Sequence, residues 1–333
     1  MRKIALLGRN DREVMFSRTA EKMGIHPSIV EKDFWVCFML DHLFQDCKYK
    51  DAFVFKGGTS LSKSYHVIER FSEDIDLILD WRKLAGDTDP WEERSKTKQD
   101  KYNKDINDNA AAFYKDELMP ALNNELSLKL GDAEWVFADE IDPMVLNFRY
   151  PRVFTMEYLV PVVRLEIGPL AEWIPSHVTE VEPFASTAYP EVFEQKTTSI
   201  LTIDVERTFW EKLTILHKMA NYPENKTFPR RYARHLYDVY CMANSWVKES
   251  AFEHKELLKK DVTFKQKFYY AKSAHYDTAT LEEISLVPAE YIMSDVKKDY
   301  SSMESMIYGN YPSFDDILEC LVDLEKEVHR LAE

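Results

Sequence analysis

Cysteine is scarce in this sequence, and the few copies follow no metal-binding or redox spacing. Cys37, Cys47, Cys241 and Cys320 form neither a CxxC pair nor a cluster with histidine. A structural zinc site needs such ligands at short spacings, and a disulfide framework is typical of small secreted chains. We therefore expect reduced, mostly buried thiols.

Long apolar runs are also missing. No stretch approaches the roughly 20 apolar residues that a membrane-spanning helix needs. The N-terminal stretch Met1–Gly8 is too short for the apolar region of a secretory signal peptide. These absences predict a cytoplasmic protein with no membrane partner.

Positive charge is in deficit, because 43 lysines and arginines face 58 aspartates and glutamates, which gives a formal net charge of −15. Phosphate contacts normally need basic surface, so this balance argues against a broad electrostatic grip on nucleic acid. A local basic patch remains compatible with this negative net charge. An acidic body also suits a basic protein partner.

The chain has 333 residues, of which 45% are hydrophobic, so it can bury a sizeable core. Its length favours two lobes, or one domain with a helical extension. Two stretches interrupt the hydrophobic periodicity. Residues 82–108 are mostly charged or polar and predict an exposed insertion, and the proline-rich residues 168–199 predict an irregular connection.

An aromatic-rich stretch from Pro27 to about Phe44 predicts a helix, since proline is favourable in a first turn. Apolar residues recur in it at helical spacing, namely Ile29, Val30, Phe34, Cys37, Phe38, Leu40 and Leu43. This pattern is typical of a helix that packs in the core under a sheet. Lys32 and Asp33, within the same stretch, receive no functional role.

The stretch Phe53–Trp81 predicts a strand, a glycine turn, a short helix and a second strand. The first strand stops at Gly57-Gly58, after which Thr59 or Ser60 can cap the helix. Glycine lets the backbone approach an anion, and the N–H groups at a helix start point towards it. We interpret these four residues as a phosphate-binding turn.

The second strand carries two carboxylates at alternate positions, Asp74 and Asp76. Alternate side chains of a strand point the same way, so both acids share one face. Like charges this close are unfavourable unless a cation lies between them, and paired carboxylates suit Mg²⁺ bound together with substrate phosphates. The alternative is an ordinary acidic strand end. Together with the glycine turn, the pair favours a metal-dependent active site.

A further carboxylate lies on a strand predicted at about residues 158–167. Arg164 and Glu166 share a face of this strand. Either the two residues form a structural ion pair, or Glu166 provides a third carboxylate beside Asp74 and Asp76. The spacing leaves both alternatives open.

The helix predicted after Asp204 places a lysine among apolar residues. Steps of three, four and seven from Lys212 reach Val205, Thr208, Phe209, Ile215, Leu216 and Met219. The ammonium group either reaches water past its own stem or points into a cleft to bind phosphate.

The next helical stretch, Arg230–Tyr240, carries Arg234 and Asp238 four residues apart. One alternative is an ion pair on a surface helix. The other is a functional group in which arginines contact phosphate and Asp238 positions or deprotonates an acceptor.

Several of these motifs together resemble a known family. The turn Gly57–Ser60 followed by Arg70–Asp76 is similar to the nucleotidyltransferase signature of the DNA polymerase β superfamily, although the gap from Gly58 to Asp74 is long for it. More narrowly, the chain resembles the AbiEii/AbiGii toxins of type IV toxin–antitoxin and abortive-infection systems. The resemblance covers about residues 25–245 and includes Ile29–Trp35, Leu165–Gly168, Arg207–Leu213 and Arg234–Asp238.

The resemblance implies an α+β fold, with a polymerase β-like mixed-sheet core and N-terminal helices over residues 1–203 and a helical lobe over residues 204–333. It implies nucleotidyl transfer from an NTP to an RNA acceptor, a tRNA 3′ end in particular, with toxicity by blocked translation. It also implies a cognate antitoxin as a partner.

The resemblance assigns the residues as follows. Asp74 and Asp76, with Glu166 as the third acid, hold one or two Mg²⁺ ions, and the two aspartates are catalytic together with Lys212 and Asp238. The NTP is bound by Lys212 and by the turn residues Gly57, Gly58, Thr59 and Ser60. These distant segments are then expected to meet at one cleft.

Two other functions stay open. The first is transfer to a small-molecule or protein acceptor, which the acidic composition favours mildly. The second is a nucleotide-binding regulator without turnover, against which the intact carboxylates argue.

Overall fold

The computed structural model describes residues 1–86, 88–156, 159–170 and 174–333. These residues fold into two compact units. The first comprises Met1–Ser64 and Ser72–Ile203, and the second comprises Tyr65–Phe71 and Asp204–Glu333. The chain therefore leaves the first unit between the glycine turn and the acidic strand, which accounts for the long gap between these two motifs.

Within the described residues, a mixed sheet of seven strands forms the centre of the first unit. In chain order the strands are β1 (Phe53–Lys56), β2 (Ile75–Leu79), β3 (Val136–Ala138), β4 (Val145–Phe148), β5 (Val163–Gly168), β6 (Ser176–Val181) and β7 (Thr198–Ile203). Across the sheet their order is β3-β4-β5-β2-β1-β7-β6. The pairs β2/β5 and β1/β7 are parallel and the other pairs are antiparallel. Strand β2 thus lies between β1, which leads into the glycine turn, and β5, which carries Glu166.

The helices of the first unit share a hydrophobic core with the sheet. They are α1 (Arg2–Ala5), α2 (Arg9–Met23), α3 (Pro27–Asp41), α4 (Gly57–Lys63), α5 (Arg82–Ala85), α6 (Lys96–Phe113), α7 (Met119–Leu130) and α8 (Phe184–Ala188).

Helix α3 confirms the predicted core helix. Every residue from Ser28 to Leu40 is buried. The Trp35 ring packs against the rings of Phe148 and Tyr150, with centroid distances of 6.1 and 6.0 Å. Because no side of this helix faces solvent, any charged residue on it needs a partner inside the protein.

The proline-rich stretch that was expected to be irregular contains regular structure, and the stretch that was expected to be an exposed insertion is mostly exposed but partly helical. The proline-rich residues 168–199 hold α8 and also β6, which pairs with β7 along its whole length. Residues 82–108 hold α5 and the first part of α6, where Gln99 and Ile106 are buried. The strand expected from residue 158 begins at Val163. Tyr158 lies outside the described residues, as do residues 87 and 171–173 of the two stretches.

The second unit is built mainly of helices. They are α9 (Val205–Ala220), α10 (Arg234–Ala243), α11 (Trp246–Glu253), α12 (Glu256–Phe268), α13 (Met293–Ser301) and α14 (Phe314–Arg330). Helix α9 packs against α10, α11 and α12, and its buried Trp210 donates a hydrogen bond to the Ala251 carbonyl at 3.0 Å. In the part of the chain described here, no helix is both long and apolar enough to cross a membrane.

The segment Tyr65–Phe71 is bound to the C-terminal part of the second unit. The Phe71 N–H group donates to the Met306 carbonyl at 2.7 Å, and the Tyr308 N–H group donates to the Glu69 carbonyl at 2.9 Å. A β-carbon at Gly309 would lie 2.5 Å from that of Glu69, so glycine is required for this close approach. The contacts fix the backbone on both sides of Arg70.

A buried charge network connects α9 to α12. Asp261, which is 1% exposed, pairs with Arg207 and lies 3.0 Å from the ammonium group of Lys265. The Thr214 hydroxyl donates to the same carboxylate at 2.8 Å. Removal of one charge from such a network leaves the others buried without compensation.

We expect Asp261→Asn to lower the free energy of unfolding by about 3 kcal/mol, because Arg207 and Lys265 would stay buried without their counter-charge. Urea denaturation followed by circular dichroism measures the change. Asp323→Asn is the control, since Asp323 pairs with Lys326 on the surface at 63% exposure, and its loss should cost less than about 0.5 kcal/mol. Equal effects of the two substitutions would contradict the prediction.

Candidate active site

The glycine turn lies directly against Asp76. Helix α4 begins at Gly57, whose φ of +82° is strained for any residue with a side chain. A β-carbon at this position would lie 2.8 Å from the Cβ of Asp76 and would overlap its carboxylate. Lys56 is the register partner of Asp76 in the β1/β2 pair. Glycine is therefore required at position 57 both by the backbone and by the space that Asp76 occupies.

Thr59 and Ser60 do not cap the helix, contrary to the expectation from sequence. Helix α4 starts before them, after Lys56, and both side chains are fully buried. The Thr59 hydroxyl lies 2.9 Å from the Ser72 hydroxyl and donates to the Asp74 carbonyl at 2.5 Å. The Ser60 hydroxyl donates to the Gly57 carbonyl at 2.9 Å. Both hydroxyls are engaged in hydrogen bonds within the protein, so a phosphate at this turn would be bound by backbone N–H groups.

Asp74 and Asp76 share one face of the acidic segment, as the alternation predicts. Both are half-buried, whereas the residues between and beside them, Glu73, Ile75 and Leu77, are buried on the other side. Glu166 on β5 is the register partner of Asp76 and is also half-buried. Direct partners on neighbouring strands point to the same face of the sheet. The first unit therefore brings Asp76, Glu166 and the glycine turn together.

Arg164 brings a positive charge to this acidic face. Its guanidinium group lies 3.4 Å from the Glu166 carboxylate and 3.0 Å from that of Asp139. Burial by itself lowers the pKa of Arg164, but Glu166, Asp74 and Asp139 outweigh it and raise the pKa above its ordinary value. The ion pair that the sequence left open is thus formed. Across the described ranges, no three histidine, cysteine, aspartate or glutamate side chains are placed to hold a metal ion on their own.

Within the second unit, Lys212 and Asp238 form a buried ion pair. The Lys212 ammonium group lies 2.7 Å from Asp238 Oδ2 and 3.1 Å from His235 Nδ1. Lys212 is only 6% exposed, so its ammonium group does not reach past its stem into water. Asp238 is fully buried, so the surface ion pair that its spacing from Arg234 allowed is also wrong.

The main partner of Asp238 is Arg70, to which no role was assigned from the sequence. Its guanidinium group binds the carboxylate with two parallel hydrogen bonds, Nε to Oδ1 at 2.6 Å and Nη2 to Oδ2 at 3.0 Å. This fork geometry is the strongest form of an arginine–carboxylate pair. The available signal was position, because Arg70 is the first residue of the stretch Arg70–Asp76 that resembles the nucleotidyltransferase signature.

The cluster controls the charge of its own members. Burial by itself raises the pKa of Asp238, but Arg70 and Lys212 hold it well below its ordinary value. Burial lowers the pKa of Lys212, while Asp238 opposes this shift and Arg70 adds to it. The pKa of His235 is well below its usual range because the ring is buried and because Lys212 and Arg234 are close to it. The carboxylate therefore stays ionised and the imidazole stays neutral. The expected meeting of this cluster with Asp76 stays a prediction.

We expect Gly57→Ala to destabilise the protein by about 2 kcal/mol or more, since it combines backbone strain with overlap against Asp76. Gly24→Ala is a matched control. Gly24 also has a positive φ, +67°, but a β-carbon there would meet no atom within 4 Å, so only the strain of about 1 kcal/mol remains. Urea denaturation measures both variants, and an equal loss in the two would show that the contact with Asp76 carries no cost.

Acidification should destabilise the second unit through His235. Its pKa in the folded protein lies below the value of about 6.5 in the unfolded chain, so the unfolded state takes up the proton first and stability is lost as the pH falls below that value. Between pH 7.5 and pH 5.5 the free energy of unfolding should fall, and we expect this fall to be smaller by about 1 kcal/mol in His235→Asn. Urea denaturation at the two pH values measures the free energy of unfolding. The pKa of His217 is also lowered by burial, so part of the pH dependence of stability should remain in the variant. An unchanged pH slope in the variant would contradict the assignment.

Comparisons with known proteins agree with the fold and with the family that the motifs resemble. The sequence model of the nucleotidyl transferase AbiEii toxins of type IV toxin–antitoxin systems matches residues 39–320. The match continues well beyond residue 245, where the expected resemblance ends, and it begins after the stretch Ile29–Trp35. None of the curated proteins compared with the chain matches it significantly.

Among solved structures, the chain is similar to MenT4, a nucleotidyltransferase toxin from Mycobacterium tuberculosis H37Rv. The two are 16% identical, the superposition covers 98% of each chain, and the TM-score is 0.50. At this identity the likeness concerns the fold, and it confirms the expected α+β class with a mixed-sheet core. Since the family model spans most of the sequence, the chain belongs to the AbiEii family of nucleotidyltransferase toxins of type IV toxin–antitoxin systems.

Proposed function

We propose that this protein transfers a nucleotide from an NTP to RNA, at a tRNA 3′ end, and that the transfer depends on Mg²⁺. The observation that carries the proposal is the packing of the Asp76 carboxylate against Gly57, with Asp74 on the same face. This arrangement supports the proposal, because the turn that we propose to bind phosphate lies beside two acids. Nucleotidyl transfer needs this combination, because catalysis of phosphoryl chemistry consists mainly of positioning and charge stabilisation.

The residues present fit a divalent ion of the magnesium type. Mg²⁺ prefers oxygen ligands and is usually bound by one or two carboxylates together with substrate phosphates and water, so a complete protein cage is not required. Asp74 and Asp76 would hold the ion. Glu166 would join them as the third acid after its ion pair with Arg164 has broken. When bound, the ion would neutralise charge that develops on the transferred phosphate.

The residues of the chain divide the remaining work. The backbone N–H groups from Gly57 to Ser60 bind the triphosphate, and Lys212 binds a phosphate oxygen. Lys212 and Arg70 place two positive charges around the single charge of Asp238, so their cluster keeps an excess of positive charge that suits a phosphate. Asp238 orders Lys212 and the acceptor. Its low pKa makes it a poor proton acceptor, so a positioning role fits better than general-base catalysis.

The proposal also concerns the protein's setting. As a member of a type IV toxin family, the protein has a cognate antitoxin, and modification of tRNA in the cytoplasm would block translation. This is how it would act in toxin–antitoxin or abortive-infection defence.

Incubation of the protein with each α-labelled NTP, total RNA and Mg²⁺ tests the proposal. We expect ribonuclease-sensitive label in the tRNA fraction, and none after EDTA treatment. Oxidation of the RNA 3′ ends with periodate should prevent labelling, because it destroys the terminal hydroxyl group. Label in protein or in small molecules alone would reject the RNA acceptor and support the alternative that the acidic composition favours. Mg²⁺-independent NTP binding without transfer to any acceptor would support a regulator.

The same assay tests the role of Asp76. We expect Asp76→Asn to lower the rate of transfer by about 100-fold or more, since an interaction worth several kcal/mol in the transition state is lost. Asp51→Asn, an identical substitution at an exposed site of the first unit, should leave the rate unchanged. Urea denaturation checks that both variants are folded. A folded and fully active Asp76→Asn enzyme would refute the assignment.

A further inference from the structure

Helix α3 carries three charged residues in succession that are all buried. Glu31, Lys32 and Asp33 are 1%, 0% and 3% exposed. Successive residues of a helix point about 100° apart, so the three side chains reach three different parts of the first unit. Burial of a charge is costly unless it is paired, and each of the three has a partner at hydrogen-bond distance. They precede the residues that the family model matches.

Lys32 binds the residue next to the metal-binding pair. Its ammonium group lies 2.6 Å from the Glu73 carboxylate and donates to the Val160 carbonyl at 2.8 Å. Glu73 immediately precedes Asp74. It lies on the buried side of the acidic segment with Ile75, so the bond to α3 holds Asp74 on the opposite side.

Asp33 binds the helix that follows the glycine turn. Its Oδ1 atom lies 2.6 Å from the ammonium group of Lys63, the last residue of α4, and its Oδ2 atom accepts a hydrogen bond from the Phe184 N–H group at 2.7 Å. The same ammonium group lies 4.1 Å from the centroid of the Phe184 ring. Helix α4 is thus held at its C-terminal end by α3, while its N-terminal end lies against Asp76.

Glu31 differs from its two neighbours. Its carboxylate accepts hydrogen bonds from the N–H groups of Val153 and Phe154 at 2.6 and 2.9 Å. Neither residue belongs to the glycine turn or to the acidic strand. Glu31 is therefore a buried charge of the same helix whose two hydrogen bonds go to residues outside the segments of the site.

Apolar side chains in place of buried ion pairs often stabilise a protein as well or better, so stability alone does not account for these pairs. What an ion pair adds is a specific partner. A strand that slips by one residue turns its side chains to the wrong face, which would take Asp74 and Asp76 away from the turn.

We propose that Lys32 and Asp33 are positioning residues of the active site. Lys32 acts through Glu73 and fixes the register of the acidic strand. Asp33 acts through Lys63 and fixes the helix of the glycine turn. The inference deepens the proposed function and rests on it for its effect on catalysis, whereas the effect on the local backbone is independent of it.

The test compares Lys32→Met, the double variant Lys32→Met/Glu73→Met, and Glu31→Gln as the matched control. Hydrogen–deuterium exchange of residues 72–79 reports the backbone, and the Mg²⁺ concentration that gives half-maximal transfer reports the site. We expect Lys32→Met to lose stability, because Glu73 stays buried without its partner, and the double variant to regain it. In both variants, the half-maximal Mg²⁺ concentration should rise about tenfold, as is common when a residue that supports metal ligands is lost. Exchange of residues 72–79 should be faster in both, and Glu31→Gln should change neither quantity.

The second arm uses Asp33→Asn/Lys63→Met, which removes both charges. Here we expect faster exchange in residues 57–63 and a KM for the NTP that rises several-fold, with a smaller change in the Mg²⁺ requirement. This separation of the two readouts would not follow from general destabilisation.

A double variant at Lys32 and Glu73 that recovers both stability and the wild-type Mg²⁺ requirement would overturn the proposal, because the pair would then be structural only. An equal shift in Glu31→Gln would overturn it as well. If the wild-type protein transfers no nucleotide to any acceptor, the proposed function fails on its own. The exchange rates then decide the positioning roles, and unchanged rates in residues 72–79 and 57–63 would reject them.

Discussion

The close approach of the Gly57 backbone to the Asp76 side chain is the constraint on which the site of the first unit depends. Strands β1 and β2 pair with Lys56 opposite Asp76, so the residue that follows β1 meets the acid directly. Backbone pairing, rather than a flexible side chain, therefore sets the distance between the turn and the carboxylate. In the proposed function, a phosphate bound to the turn would lie beside the acid, which is the kind of preorganisation that favours catalysis.

Other contacts reinforce the same arrangement. The Thr59 hydroxyl connects α4 to the backbone of Asp74. Helix α3 binds α4 through Lys63 and binds the acidic segment through Glu73. The second unit uses charge in a comparable way. The carboxylate of Asp238 is surrounded by Arg70 and Lys212, so a locally positive group exists in a chain with a net charge of −15. The proposed phosphate binding by Lys212 therefore does not require a broadly basic surface.

Local periodicity predicted the parts of the site that depend on local geometry. Alternation along the predicted strand was enough to place Asp74 and Asp76 on one face, although β2 itself begins at Ile75. Helical spacing was enough to place Lys212 on the buried face of α9. The partner of Asp238 could not be predicted in this way, because Arg70 lies 168 residues earlier in the chain and Arg234 was the nearer candidate. Strand β6 was missed because it lies at the edge of the sheet and its residues alternate too weakly in hydrophobicity. The role of Thr59 was missed because a hydroxyl after a glycine turn can cap a helix as well as it can bind a neighbouring carbonyl group.

The place of residues 65–71 in the second unit makes the surroundings of Arg70 depend on residues that are synthesised much later. Arg70 is translated early, but Asp238 follows 168 residues later, and Met306, which binds the backbone beside Arg70, comes later still. Contacts between such distant residues form slowly, because a long loop must first be closed. A nascent chain that has not reached residue 238 carries the acidic strand but lacks the buried ion pairs of the second unit. The surroundings of Arg70 are therefore complete only when almost the entire sequence has been made.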